Sequence, residues 1–184
     1  MRKIIIIRGK VTAGKTTTSH ELAKVLPRWI LIDPWKIKEM FEPLGLKNRE
    51  PLKKASKRAM IEIMKVAIRD LGINIIVQET TQKFIKKYLR KDLKKHEYKL
   101  YSFFLDVELK DAIKRDIQRD KPTMNLRNEV KSEAEWKTRI TPDKGDFVID
   151  TSQHSIKEVV STVLKEINEK ARKNPNAHLI RKCW

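Results

Sequence analysis

One cysteine, Cys183, stands in 184 residues, and without a second thiol no internal disulfide can form. A packed core must then supply the stability, and the expected setting is a reducing, cytoplasmic one. Long apolar runs are missing too. Ile4 to Ile7 is cut off by Arg8, far short of the roughly 7–15 apolar residues of a secretory signal. Nothing approaches the ~20 apolar residues of a membrane-crossing helix, so no membrane partner is expected. The histidines, His20, His96, His154 and His178, are scattered without metal-ligand spacing, and Cys183 has no base near it in sequence. Metal-centred and cysteine chemistry are therefore poor candidates.

Acidic residues are scarce relative to basic ones: 24 against 42, a formal net charge of +18. A polyanion such as RNA or DNA is one partner this implies, because basic side chains that neutralise phosphates release counterions. Heat adaptation also yields Lys- and Ile-rich chains poor in Gln and Cys, but it raises Glu alongside Lys, and here the acids lag. No internal repeat or low-complexity segment breaks the chain. The length fits a single domain over 1–173, with a loosely attached tail at 174–184.

What is present is an alternation of short apolar runs with longer amphipathic ones, the pattern of βαβ units around a parallel sheet. Strands are expected at Lys3 to Arg8, Trp29 to Ile32, Ile73 to Val77, Lys99 to Leu105 and Phe147 to Ile149. Helices are expected from the loop after the first strand to Leu26, over Trp35 to Phe41, Pro51 to Leu71, Gln82 to Lys95 and Glu108 to Arg119. Gly72 acts as a helix stop, and a last helix follows the capping box Ser155-x-x-Glu158. Residues 120–145 are polar and almost without large aliphatics. They read as a mobile lid, with a helix around Leu126 to Arg139 that has little to anchor it.

Between the first strand and first helix lies GKVTAGKT, the full G-x-x-x-x-G-K-[ST] pattern, in the strand-then-helix context its chemistry needs. Gly9 and Gly14 let backbone amides turn toward phosphates, with Thr12, Ala13 and Thr17 completing the cradle. Lys15 reaches the terminal phosphates, and the Thr16 hydroxyl can ligate Mg²⁺. ATP or another nucleoside triphosphate is the expected ligand. Ligands of parallel sheets gather at the carboxyl ends of strands, so the residues just after each strand are the remaining candidates. Asp33 can accept a proton from an attacking hydroxyl, and can equally cap a helix that starts at Pro34. Trp35 can stack on an acceptor or pack on the core. Lys36, Glu79 and Thr80 are further acceptor-side candidates, Glu79 also as a holder of Mg²⁺ waters. Thr151 and Ser152 are candidate nucleotide contacts. Arg115 and Arg119, four apart on one helical face, can close on the γ-phosphate, and Arg127 and Arg139 lie further into the lid.

The order GKVTAGKTT, LIDPWK, IIVQETTQKF, KRDIQRDK, FVIDTS resembles the P-loop kinases of the polynucleotide kinase, zeta toxin and chloramphenicol phosphotransferase group over most of 1–170. Within that group it is most similar to the 5′-hydroxyl polynucleotide kinases. The resemblance implies an α/β P-loop NTPase fold of the nucleotide-kinase type, with a five-stranded parallel sheet flanked by helices. It further implies transfer of the γ-phosphoryl of ATP to a hydroxyl, with Asp33 as general base, Lys36 on the acceptor's phosphate and Arg119 clamping phosphate. The chain departs from the group's pattern at Thr12, where glycine is usual, and at Pro34, where a second acid is usual. Lys36 replaces Arg, and Glu79 replaces Asp. The preferred acceptor on this reading is the 5′ end of RNA or DNA. The same-class alternative is a nucleoside, sugar or antibiotic, which needs a closed pocket over residues 35–60, a stretch short of aromatics. The other-class alternative is an RNA-binding NTPase without an acceptor.

Overall fold

The computed structural model describes residues 1–41, 50–119, 126 and 130–172. The expectations for the tail at 174–184, for Arg127 and for much of the lid lie outside them. The strands are β1 (Arg2–Gly9), β2 (Trp29–Ile32), β3 (Asn74–Gln78), β4 (Tyr98–Asp106) and β5 (Phe147–Asp150). The helices described are α1 (Lys15–Val25), α2 (Pro34–Glu39), α3 (Glu50–Val66), α4 (Gln82–Lys95), α5 (Leu109–Ile117), α6 (Glu133–Arg139) and α7 (Ile156–Arg172). All five strands run parallel in the order β2-β3-β1-β4-β5, the α/β architecture expected.

The four isoleucines of β1 explain why this strand is central. Alternate side chains point to opposite faces, and both faces of a parallel sheet are covered by helices. Ile4 and Ile6 join the core with Met60, Met64 and Ile68 from the α3 side and Ile85 and Leu89 of α4. Ile5 and Ile7 join the other core, with Leu22 of α1, Ala112 of α5 and Val159 and Val163 of α7. All four isoleucines are fully buried.

Two expectations about helices change. The long amphipathic helix over 51–71 is α3 followed by a wider π-turn, Ala67–Leu71, and Gly72 ends it in the left-handed conformation at φ 59°. The segment before β5 is also better anchored than its polar composition implies. Trp136 of α6 is 2% exposed, and its indole Nε1–H donates to the Val107 carbonyl at 2.7 Å. Leu126 and Val130 are buried in the same core. A single large aromatic with a satisfied N–H does the anchoring for which aliphatics were sought.

Candidate active site

The loop between β1 and α1 is built around glycine backbone. At Gly9 (φ 141°) a Cβ would sit 2.1 Å from the Leu105 carbonyl oxygen of β4, so only glycine lets the loop leave the sheet here. Gly14, at φ 85°, is the residue before α1, and no side chain caps that helix. The first amides of a helix have no internal acceptor, and no acidic residue stands in this first turn. An uncapped, unoffset helix start behind a glycine turn is a cradle for an anion. A nucleoside triphosphate therefore fits it by its phosphates.

Lys15 is held at the mouth of this cradle. Its Nζ donates to the carbonyls of Gly9 (3.1 Å) and Lys10 (2.7 Å) and pairs with Glu79 at 3.1 Å. Glu79 takes a left-handed backbone, φ 52°, uncommon for a side chain of its size and of the kind that collects at functional sites. The Thr16 hydroxyl donates to Gln78 Oε1 at 3.3 Å. Gln78 is buried, and its amide nitrogen has no partner among the described residues. Gln78 is a site residue not among the strand-end candidates, and its signal in the sequence is a polar residue closing an otherwise apolar strand beside the loop. A hydroxyl, an amide oxygen and a carboxylate at this corner are a hard-oxygen set that suits Mg²⁺, an ion that keeps much of its water and phosphate shell.

Thr12, at φ 61°, occupies a left-handed position, which accounts for glycine being usual there. Its hydroxyl donates to the Ala112 carbonyl of α5 at 3.2 Å. Ala13 is buried in the core and contributes only backbone. Lys10, also buried, pairs with Asp106 at 2.8 Å and lies over the Trp136 ring at 5.2 Å. The loop is thereby tied to the end of β4 and to α6.

A cleft of about 470 Å³ opens over the loop. It brings together Gly14, Lys15, Thr16 and Thr17 with Asp33, Trp35, Lys36, Glu79 and Arg119. Asp33 Oδ1 accepts from the Trp35 amide at 2.9 Å, capping α2, so the capping role is realised at a position that also faces the cleft. Trp35 is 53% exposed rather than packed in the core. The arginine pair is divided: α5 ends at Ile117, and only Arg119 lines the cleft. Arg115 instead donates to the Thr151 carbonyl (2.6 Å), the Thr151 hydroxyl (3.1 Å) and the Thr12 carbonyl (3.4 Å). It braces the loop against the end of β5. Thr151 is buried, with its hydroxyl donating to the Asp106 carbonyl, and Ser152 Oγ accepts from the Glu108 amide. Neither of these two side chains is presented to the cleft. Arg139 lies on α6 and does not line the cleft either.

A second cavity, about 310 Å³, shares Trp35 and Glu79 with the first. Its walls include Lys38, Lys53, Ser56, Lys57, Thr80 and Phe84. Phe84 reaches it from the first turn of α4, where the Thr81 hydroxyl caps the Phe84 amide at 3.1 Å. The aromatic content missing from 35–60 thus arrives from another element.

The fold finds counterparts among solved structures. The tunicamycin resistance protein of Deinococcus radiodurans superposes with a TM-score of 0.63 at 21% identity, over 91% of this chain and 96% of that one. The fold is the α/β fold of the P-loop NTPases. The APS kinase CysC of Mycobacterium tuberculosis, solved with AMPPNP and APS, gives a TM-score of 0.60 at 15% identity, covering 91% and 98%. A gluconokinase from Sinorhizobium meliloti gives 0.58 at 14% identity, covering 94% of each chain. No protein-family model and no curated protein matches the chain. At these identities the likeness establishes the α/β P-loop NTPase fold, and activity and acceptor must be argued from the site.

Proposed function

We propose that the chain is an ATP-dependent kinase that phosphorylates a hydroxyl of a small molecule. The observation that carries this reading is the pair of adjoining cavities. One is built on the phosphate loop, the other is lined by side chains of α2, α3 and α4, and they meet at Trp35 and Glu79. Asp33 lines the first, and its neighbour Pro34 lines the second. A carboxylate at the junction of a donor and an acceptor space is where a general base belongs.

In the step proposed, the acceptor oxygen forms a bond to the γ-phosphorus while the bond to the bridging oxygen breaks. The electron pair leaves with ADP, and the acceptor's proton passes to Asp33. Lys15 and Arg119 offset the charge on the transferred group from two sides of the cleft. Magnesium, when bound at Thr16 and through water at Glu79, supplies further neutralisation of phosphate charge. The solved relatives include proteins whose names specify APS and gluconate, both small acceptors, which favours a small-molecule acceptor for this chain.

A second reading, a nucleic-acid 5′-hydroxyl acceptor, rests on the exposed Trp35 and on the exposed cations of α4, Lys86, Lys87, Arg90, Lys91, Lys94 and Lys95. Aromatic platforms beside basic surfaces bind single strands. Incubation with ATP, Mg²⁺ and either small hydroxyl compounds or 5′-hydroxyl oligonucleotides separates the two. Product on small compounds supports the first reading, and product on oligonucleotides alone replaces it with the second.

A further inference from the structure

We infer that the exposed face of α4 binds single-stranded nucleic acid, as an anchoring surface rather than as part of the phosphoryl-transfer site. This assignment stands apart from the kinase reading and from either choice of acceptor. Seven of the 14 residues of α4 are basic, and all seven are exposed. Lys83, Lys87, Lys91 and Lys95 follow one another at four-residue steps, about 6 Å apart along the axis, with Lys86, Arg90 and Lys94 in a row beside them. The one acid of the helix, Asp92, is turned to Arg69. None of the seven cations pairs with a carboxylate among the described residues. Lys86 donates to Gln82 Oε1 at 3.1 Å, and Lys87 Nζ lies 5.3 Å from the Tyr88 ring centroid, contacts that leave both charges uncancelled.

Folding does not account for this face. The helix dipole favours Lys94 and Lys95 in the last turn, but it disfavours Lys83 in a first turn that holds no acid. Like charges four residues apart repel, and α4 carries three such pairs in its first row and two in its second. Heat-adapted surfaces set opposite charges into networks, which this helix lacks. A phosphate backbone supplies the missing negative charge and gains affinity by releasing its counterions. Tyr88 then selects the kind of polyanion. It is 49% exposed among the cations and braced by Phe84, with ring centroids 5.0 Å apart. An aromatic platform beside a track of cations holds single strands through base stacking. A membrane surface fits less well, because the apolar side of α4, Ile85, Leu89 and Leu93, is buried in the core and is not available to lipid. The strip begins beside the second cavity, which Phe84 lines, and runs roughly 18 Å along the helix, so most of a bound strand lies outside both cavities.

The test titrates the full chain into an oligouridylate of about 12 nucleotides that carries a 5′ phosphate and a 3′ fluorophore, read by anisotropy across a range of KCl concentrations. The 5′ phosphate removes the hydroxyl that an acceptor would need. Binding should saturate, and its logarithm should fall linearly with that of the salt concentration. Lys83→Gln, Lys87→Gln and Lys91→Gln combined should weaken it at least about ten-fold and flatten the slope by about 2, some 0.7 for each lysine. A control combining Lys24→Gln, Lys157→Gln and Lys165→Gln, exposed on α1 and α7, lowers the net charge equally and should change affinity less than about three-fold. Tyr88→Leu should weaken binding at least about five-fold with the slope kept. No saturable binding, equal losses in the two triple variants, or parent affinity in Tyr88→Leu would overturn the inference. So would tighter binding to an RNA duplex, or to vesicles containing phosphatidylserine, than to the single strand. Without RNA the α4 triple variant should melt no lower than the parent, since it removes repelling pairs; a lower melting temperature would give these lysines to the fold instead. Phosphoryl transfer to small hydroxyl compounds is measured alongside: its absence counts against the kinase reading and leaves the α4 assignment to the binding data.

Discussion

Asp33 holds two duties that a single substitution can separate. Asparagine caps helices about as well as aspartate, so Asp33→Asn should leave the melting temperature nearly unchanged while removing a proton acceptor. The expected outcome is a fall in kcat of about 10²–10⁴-fold with ATP affinity retained, read by steady-state kinetics and calorimetry. The two arginines should part in the opposite way. Arg115→Ala cuts the brace from Thr12 to Thr151 and should lower both the melting temperature and ATP affinity. Arg119→Ala, at an exposed position lining the cleft, should lower the melting temperature less than Arg115→Ala does and lose turnover. Comparing thermal melts with kinetics for this pair checks the division. That the loop residues, Asp33 and Arg119 border one cleft could be read from the loop spacing, the strand end before Asp33 and the helix leading to Arg119. Arg115 was not, because four-residue spacing puts two arginines on one face of a helix only while the helix lasts, and α5 ends at Ile117. Thr151 was misread for a related reason: a strand-end hydroxyl serves the nearest unpaired carbonyl, here that of Asp106, before any ligand.

At the scale of elements, α6 shows what composition hides. One buried tryptophan fixes a helix whose neighbours are charged. Trp136→Ala should cost about 3–5 kcal/mol by chemical denaturation, as emptying a fully buried aromatic site does. It should also loosen the phosphate loop, since Lys10 lies over the same ring. The contact between the π-turn and α4 gives a pH-dependent prediction. Asp92 accepts two bonds from Arg69, at 2.8 and 3.0 Å, and this hydrogen bonding holds its carboxyl below the usual carboxylate range. A carboxyl lowered on folding stabilises the protein above its unfolded value and loses that contribution as pH falls through the folded value. The melting-temperature gap between the parent and Asp92→Asn should accordingly be open at pH 7 and close below about pH 4. A gap independent of pH would assign Asp92 a packing role alone.

Over the whole molecule, strand number, direction and position could be read from the short apolar runs, clearest in the Ile and Val of β1 and β3, which are buried on both faces. The second cavity could not. It is assembled from Trp35 on α2, Lys53, Ser56 and Lys57 on α3, and Phe84 on α4, residues brought together only by the crossovers. The periodicity of one helix carries no information on which neighbouring helix it meets. The measurement that bears most directly on the account is product analysis by mass spectrometry after incubation with ATP, Mg²⁺ and a panel of small hydroxyl compounds. A product one phosphoryl group heavier than its acceptor, formed by the parent and not by Asp33→Asn, is the predicted result. ATP bound with no phosphorylated small molecule formed, or product formed equally by Asp33→Asn, would contradict it.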